Sequence, residues 1–307
     1  MSCTSPIYAL RLGAINPNTG KERIKILPRR VDSSYRDWCD QFGKDNILQL
    51  PCGHCESCVE KRTRAWAVRC VLEAALYLNN CFLTLTYRDS CLPKGGLCKS
   101  DLQKFIRKLR DKVGYKIRYF ACGEYGEHTY RAHYHLIIFN WFPQDAKFLK
   151  KSKYGGYLYT SKFLEDLWSF GLCSVGEVSF ASCAYVARYC LKKFAKVDDN
   201  KEFCLMSRRP GIGEAFIREN LEKVYDTDKI YLNFGNSTSM MPMRYFDKVL
   251  EAVDAKKFED VKNVRVNVAQ LSLATEMLRF GFDHVEKFYK LKGAIKKNDF
   301  EKLKRRI

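Results

Sequence analysis

Three of the five histidines, His128, His133 and His135, fall within eight residues, and two of them stand in a His-Tyr-His run. On a β-strand the side-chain period is two, so His133 and His135 project from one face a few ångströms apart, as two ligands of one metal ion must. The residues that follow, Leu136 to Phe139, are apolar on both faces and place this strand in the middle of a sheet. A buried strand is a rigid mount. The same spacing also suits hydrogen-bonded core histidines, so the pair gains meaning from what else converges on it.

A second group is Tyr185 and Tyr189, at i and i+4 of a helical pattern that runs into Lys192 and Lys193. That spacing stacks the two phenols on one helical face. A phenol with a pKa of about 10 attacks poorly near neutrality unless a cation lowers that value or polarises the target. The plainer reading is half-buried aromatics beside a solvated lysine edge. A third group is Cys52, Cys55 and Cys58, at three-residue steps. Cys-x-x-Cys is the chelating unit of structural zinc sites, its thiolates about 3.7 Å apart around a tetrahedral ion. Three cysteines need a fourth ligand, and unmetallated thiols are the alternative. A thioredoxin-like role lacks its βαβ context, and an iron–sulfur cluster lacks further clustered cysteines.

The elements that must position these groups follow from periodicity. The first 50 residues read as irregular with short strands, such as Arg23 to Leu27, and no helix. Arg62 to Leu78 is an amphipathic helix with Arg62, Arg64 and Arg69 off its apolar face. Cys81 to Tyr87 alternates as a strand, and a helix capped by Ser100 follows. Tyr115 to Glu124 and Ala132 to Asn140 form a hairpin, and Ser161 to Trp168 a short helix. Leu172 to Ser179 is a strand and Ser182 to Phe194 a helix. The order β-α-β-β-(α)-β-α predicts an α+β fold, a mainly antiparallel central sheet with flanking helices that cover one side. Beyond Arg208-Arg209-Pro210-Gly211 the pattern is largely helical, at Glu214 to Val224, Arg244 to Val253 and Val268 to Leu278. The expected divisions are 1–60, a Cys-rich N-terminal segment; 61–200, the sheet domain; and 201–307, a basic C-terminal region. Its last stretch from Lys287 is rich in lysine and arginine and suits phosphate contact or solvent.

Fifty-four Lys and Arg against 35 Asp and Glu give a net charge of +19, which points to a polyanionic partner. No apolar run approaches the roughly 18 residues of a membrane span, and the start lacks a signal-peptide pattern, so a soluble, non-secreted chain is expected. The other cysteines, among them Cys70, Cys81, Cys122, Cys183 and Cys190, sit singly in apolar segments. That suits reduced thiols in a cytosol.

Taken together, CFLTLTY, then RAHYHLIIF, then AYVARYCLKK resemble, in order and spacing, the three motifs of the HUH-type rolling-circle replication initiators. Two tyrosines three residues apart, with a lysine beyond, resemble the two-tyrosine class. CTSPIYALRLG at the start, PCGHCESCVEKRTRAWAVRC, and MSRRPGIG at 206–213 are similar to the initiators of gokushovirus-type microviruses. The likeness covers residues 3 to about 215. One departure is Arg131-Ala132, where that family has Arg-Pro.

The resemblance implies an HUH endonuclease-like fold in which His133 and His135 bind Mg²⁺ or Mn²⁺, a Lewis acid on the scissile phosphate. It implies a third ligand from a nearby carboxylate or polar group, with Glu124 first and Glu127, His128 and Glu177 behind it. Tyr185 and Tyr189 are the implied nucleophiles, and Lys192 or Lys193 offsets charge on the pentacoordinate phosphate. The product is a 5′-phosphotyrosine with a free 3′-hydroxyl that primes rolling-circle synthesis, and the second tyrosine then allows the displaced strand to be rejoined into a circle. The likeness also brings Cys3 near the Cys52–Cys58 turn as the fourth ligand of a structural Zn²⁺, ahead of Cys70, Cys39 and His54. Arg62, Arg64, Arg69, Arg131 and Arg188 are the candidate DNA contacts. The implied partners are single-stranded and origin DNA with host helicase and DNA polymerase, in the cytoplasm of an infected bacterium. The rival expectation is a non-catalytic, zinc-stabilised protein that grips single strands by charge and stacking.

Overall fold

The computed structural model describes residues 3, 5–18, 21–28, 35–126, 130–152, 156–191, 202–234 and 236–280. The chain forms two compact units, Met1–Lys61 with Gln270–Ile307, and Arg62–Ala269.

The first unit holds strands β1 (Ile7–Ile15) and β2 (Glu22–Ile26), helix α1 (Tyr35–Phe42) and strand β3 (Ile47–Leu50). The strands form an antiparallel sheet in the order β2-β1-β3. Helix α1 corrects the expectation of a helix-free start. Trp38 and Phe42, at i and i+4, stack at 6.0 Å, and Trp38 is buried with Leu27 and Ile47. One aromatic stripe held by tertiary packing sustains a two-turn helix that would not persist alone. Helix α2 (Glu56–Ala74) starts at Glu56 rather than Arg62. Its beginning is set by the Cys55 carbonyl, which accepts from Cys58 and Val59 N–H, and not by an apolar stripe.

The second unit continues with β4 (Asn80–Tyr87), α3 (Lys99–Val113), β5 (Arg118–Tyr125), β6 (Ala132–Phe139), β7 (Lys147–Lys151), β8 (Tyr157–Thr160), α4 (Lys162–Leu167), β9 (Gly171–Gly176) and α5 (Phe180–Leu191). After these come β10 (Phe203–Met206), α6 (Glu214–Glu219), α7 (Leu221–Thr227), β11 (Ile230–Phe234), β12 (Asn236–Met240), α8 (Arg244–Val253) and α9 (Ala255–Phe280). Seven strands make one sheet, ordered β10-β5-β6-β4-β9-β8-β7, and every pairing in it is antiparallel. The α+β class with a mainly antiparallel central sheet is therefore as expected.

Helices cover both faces of this sheet, not one. On the first face Leu83, Leu85, Leu136, Ile138 and Val175 pack with Leu102, Phe105, Ile106 and Leu109 of α3 and with Leu164 of α4. On the second face Phe120, Cys122, Ile137 and Phe139 pack with Ala67 and Cys70 of α2 and with Cys183, Val186 and Ala187 of α5. The reason lies in β6, whose Leu136 to Phe139 are apolar on both sides and fully buried. Each such side chain contributes about 1.5–3 kcal/mol only when water is excluded from it.

Several local expectations change. The α3 N-cap is Cys98, without a side-chain bond, rather than Ser100. The stretch Glu214 to Val224 breaks at Asn220 into α6 and α7. Strand β10 and the β7–β8 hairpin are additions, the latter hidden in sequence because Lys147–Lys151 is exposed throughout and lacks a buried alternation. Gly171 opens β9 where a Cβ would lie 2.0 Å from the Thr86 carbonyl oxygen, so only glycine lets β9 approach β4 there. The loop at 207–213 is tied down by a buried pair. Arg118 binds Glu73 and donates to the carbonyls of Pro210 (2.8 Å) and Gly211 (3.2 Å), while Glu73 accepts from Gly213 N–H at 2.7 Å. Among the described residues no helix is long and apolar enough to cross a membrane. The basic stretch from Lys287 lies outside them.

Candidate active site and thiolate cluster

Strand register builds the first site. Glu124 on β5 lies opposite His133 on β6, and His135 lies opposite both Cys122 on β5 and Thr84 on β4. Directly paired residues share a face, so the carboxylate and both imidazoles converge. Glu124 Oε1 is 2.8 Å from His133 Nε2 and 3.0 Å from His135 Nε2. Helix α5 brings a fourth group from across the face: Tyr185 donates its hydroxyl to the same Oε1 at 3.0 Å. The Tyr185 ring stands edge-on to His135 at 4.9 Å, and Phe82 stacks flat on the other side of that imidazole at 5.4 Å. Tyr185 is 39% exposed, so its hydroxyl is accessible to a large substrate.

The donor set fits a divalent cation. One ligand atom from each of Glu124, His133 and His135 lies within 4.8 Å of the others. Oε2 of Glu124 is buried with no hydrogen-bond partner among the described residues, a state that costs about 1–3 kcal/mol unless something satisfies it. The ring orientations are fixed from behind. His133 Nδ1 bonds the Arg131 carbonyl at 2.9 Å and His135 Nδ1 pairs with Thr84 Oγ1 at 3.0 Å, so both Nε2 atoms face Glu124. A carbonyl only accepts, so His133 Nδ1 carries a proton, and bonding Glu124 as well requires a second proton on Nε2.

Titration follows the same geometry. Burial pushes the Glu124 carboxyl up, but hydrogen bonds from His133 and His135 outweigh it and leave its pKa lowered. For His133, burial favours the neutral ring, yet the bonds to Glu124 and the Arg131 carbonyl raise its pKa overall. His135 is more deeply buried, and desolvation prevails over the pull of Glu124, so its pKa is lowered.

A second cluster lies in the first unit. Cys3, Cys52, Cys55 and Cys58 hold their sulfurs within 4.8 Å of one another. Cys3 Sγ and Cys55 Sγ are 3.7 Å apart, matching the sulfur–sulfur edge of a tetrahedron with metal–sulfur bonds of about 2.3 Å. Backbone N–H groups already point at the sulfurs, Cys52 at Cys3 Sγ (3.3 Å), and His54 (3.4 Å) and Cys55 (3.3 Å) at Cys52 Sγ. Gly53 makes the turn with φ +79°, a left-handed value that favours glycine. Burial pushes the Cys58 thiol up to about 12 and also raises Cys3. A bound cation would favour the thiolates despite that burial. Cys39 packs instead beside Trp38, and Cys70 is buried under the large sheet.

Residues 80–194 match the family model of replication-associated proteins of the ORF2 type. The chain is 34% identical over 210 residues to Replication-associated protein VP4 of Bdellovibrio phage phiMH2K, covering 64% of this chain and 66% of that protein. It is 33% identical over 230 residues to Replication-associated protein ORF4 of Chlamydia phage 1, covering 69% and 58%. With Replication-associated protein ORF2 of Spiroplasma virus 4 it shares 31% identity over 241 residues, 73% of this chain and 75% of that one. The chain belongs to the microvirus replication-associated proteins. It spans less than two thirds of the length of the first two relatives. No solved structure matches it.

In this replication protein the expected DNA contacts separate. Arg64 is exposed, and Arg62 and Arg188 are half-buried. Arg69, expected at the DNA surface, lies inside: 9% exposed, it donates to the Ile212 carbonyl with its guanidinium between Trp66 (4.0 Å) and Tyr245 (3.8 Å). Its charge serves the fold because the helical turn that carries it is fully covered. Arg131 pairs with Asp89 at 2.7 Å and donates to the Tyr87 carbonyl, bracing the residue whose own carbonyl orients His133. Tyr189 lies on α5, its side chain outside the described part of the structure, and Lys192, Lys193, Glu127 and His128 lie outside the described residues. Glu177 is exposed and not part of the carboxylate–imidazole group. Sequence reasoning missed Thr84 and Phe82. Their signal was present in Cys81 to Tyr87, where alternation puts Phe82, Thr84 and Thr86 opposite the buried leucines.

Proposed function

We propose that the protein nicks one strand of phage replicative-form DNA at the origin by tyrosine attack, stays joined to it through a 5′-phosphotyrosine, and primes rolling-circle synthesis. The displaced strand is then rejoined into a circle by the reverse reaction. The observation that carries this reading is the sharing of Glu124 Oε1 by Tyr185 Oη, His133 Nε2 and His135 Nε2. A nucleophile and a cation-binding group meet at one atom.

The chain's residues divide the work as follows. Glu124, His133 and His135 hold Mg²⁺ or Mn²⁺, hard enough for the carboxylate and tolerant of imidazole. When bound, the ion supplies Lewis acidity at the scissile phosphate. Tyr185 Oη attacks phosphorus in line as its proton passes to Glu124 Oε1; the Oη–P bond forms, the P–O3′ bond breaks, and the 3′-oxygen takes a proton from water. The rigid β5–β6 pair keeps this geometry at little entropic cost. Lys192 or Lys193 offsets the charge of the pentacoordinate phosphate, and Tyr189 performs the second attack that releases the circle. Zn²⁺ at Cys3, Cys52, Cys55 and Cys58 is structural. Single-stranded and origin DNA are the substrates, host helicase and DNA polymerase the partners, and the cytoplasm of the infected bacterium the setting.

The test is a denaturing gel with a labelled origin oligonucleotide and Mn²⁺. A covalent protein–DNA band is expected, absent with chelator and absent when Tyr185 and Tyr189 are both Phe. Cleavage without any adduct would instead mean hydrolysis by water, and neither cleavage nor adduct would leave a binding protein.

A further inference from the structure

We infer that the open part of the sheet's second face, from the histidines across β4, β9 and β8 to the edge strand β7, is the bed for single-stranded DNA entering the site. This rests on the nicking reading, since it supplies the path of that reaction's substrate.

Register defines the bed. His133 pairs with Thr86, which pairs with Leu172 on β9, so these three share the catalytic face. In a second row Phe82 pairs with Gly176, Gly176 with Leu158 on β8, and Leu158 with Lys150 on β7. Two residues on from Leu158, Thr160 faces the same way and pairs with Lys147. The catalytic face therefore continues, strand by strand, to two lysines at the sheet edge. Four interstrand steps of about 4.8 Å make this path about 19 Å long. That is room for on the order of four nucleotides, the lower end of the footprint of a single-strand platform.

Exposure and charge select the occupant. Leu172 is 72% exposed although the same strand buries Cys173 and Val175 on the opposite face. An exposed leucine two strands from a catalytic histidine offers an apolar surface to a base. Lys147 and Lys150 are exposed, and neither β7 nor β8 contains an acidic residue. The combination of apolar floor and basic rim matches unpaired bases with their phosphates. A duplex would hide its bases from Leu172.

The test is fluorescence anisotropy of the full chain with a fluorescein-labelled thymidine 15-mer, over a salt series. Three variants are compared: Lys147→Glu with Lys150→Glu; Leu172→Glu; and, as a charge-matched control on exposed positions of α3, Lys104→Glu with Lys108→Glu. The first two are expected to weaken binding by at least about fivefold, and the lysine pair to flatten the log–log salt slope by about 1.4, two contacts' worth for single strands. The control stays within about twofold. A smaller loss in either bed variant, or an equal loss in the control, overturns the bed. Adduct formation by the unaltered protein is scored separately: its failure would end the nicking reading, while failed anisotropy with a normal adduct would end only the bed.

Discussion

Thr84 Oγ1 stands 3.0 Å from Nδ1 of His135, from the strand next to the one that carries the histidine. With the Arg131 carbonyl doing the same for His133, both imidazoles are oriented before any ligand arrives. Thr84→Val keeps shape and strand preference but removes the hydroxyl. Affinity for Mn²⁺, measured by calorimetry, is expected to fall at least about tenfold, the usual scale for such supporting bonds, and Thr84→Ser to restore it. Unchanged affinity in the valine variant would remove Thr84 from the site.

Cation binding should be proton-linked. The pKa of His133 is raised by its partners, so in the cation-free protein its proton contributes stability that is complete below the ordinary value of 6.5 and is lost as pH rises through the raised value. Glu124 is lowered, so its charge contributes above the ordinary 4.5 and that contribution is lost as pH falls through the lowered value. His135 is lowered and already neutral near pH 7. A cation must displace the His133 proton. Apparent affinity should therefore rise with pH by up to about tenfold per unit and level off above the raised pKa. A flat profile from about pH 6 to 8 would contradict the ligand set.

The two tyrosines should separate by step. Tyr185→Phe retains the ring against His135 and Phe82, so the thermal midpoint should move little. Either single variant is expected to keep more of the first nick than of complete turnover and circle release, read on gels of labelled origin DNA. Equal loss of both steps would argue against two alternating nucleophiles.

The thiolate cluster predicts one zinc per chain by elemental analysis. Co²⁺ exchanged into it should give intense thiolate charge-transfer absorption characteristic of four-sulfur tetrahedral sites. Cys55→Ser should lower zinc content and melting temperature together while leaving Mn²⁺ binding at Glu124 measurable. Full zinc content in both Cys55→Ser and Cys3→Ser would refute the four-cysteine site.

Glu73→Gln removes the charge that Arg118 faces in a buried pair, side chains 1% and 6% exposed. Leaving an uncompensated buried guanidinium costs about 3–5 kcal/mol, a large share of a typical domain's stability. Urea unfolding should show that loss; a change under about 1 kcal/mol would mean that the carbonyls of Pro210 and Gly211 suffice.

The sequence by itself determined which side chains share a face. His-x-His on an apolar strand, Tyr at i and i+4, and Cys at three-residue steps are local spacings, fixed by the period of a strand, a helix or a turn. It also determined the antiparallel α+β class, through alternation in Cys81 to Tyr87 and helical spacing in Leu102 to Leu109. Only the tertiary structure decided what those faces meet. Strand register, which no local period encodes, put Glu124 across from His133 and Thr84 beside His135. Packing turned Arg69 inward although its charge suggested the surface, because the burial of a whole helical turn outweighs the preference of one residue. The β7–β8 hairpin was invisible for the same reason. An exposed strand carries no buried alternation, and its existence depends on backbone bonds to a neighbour that the sequence does not name.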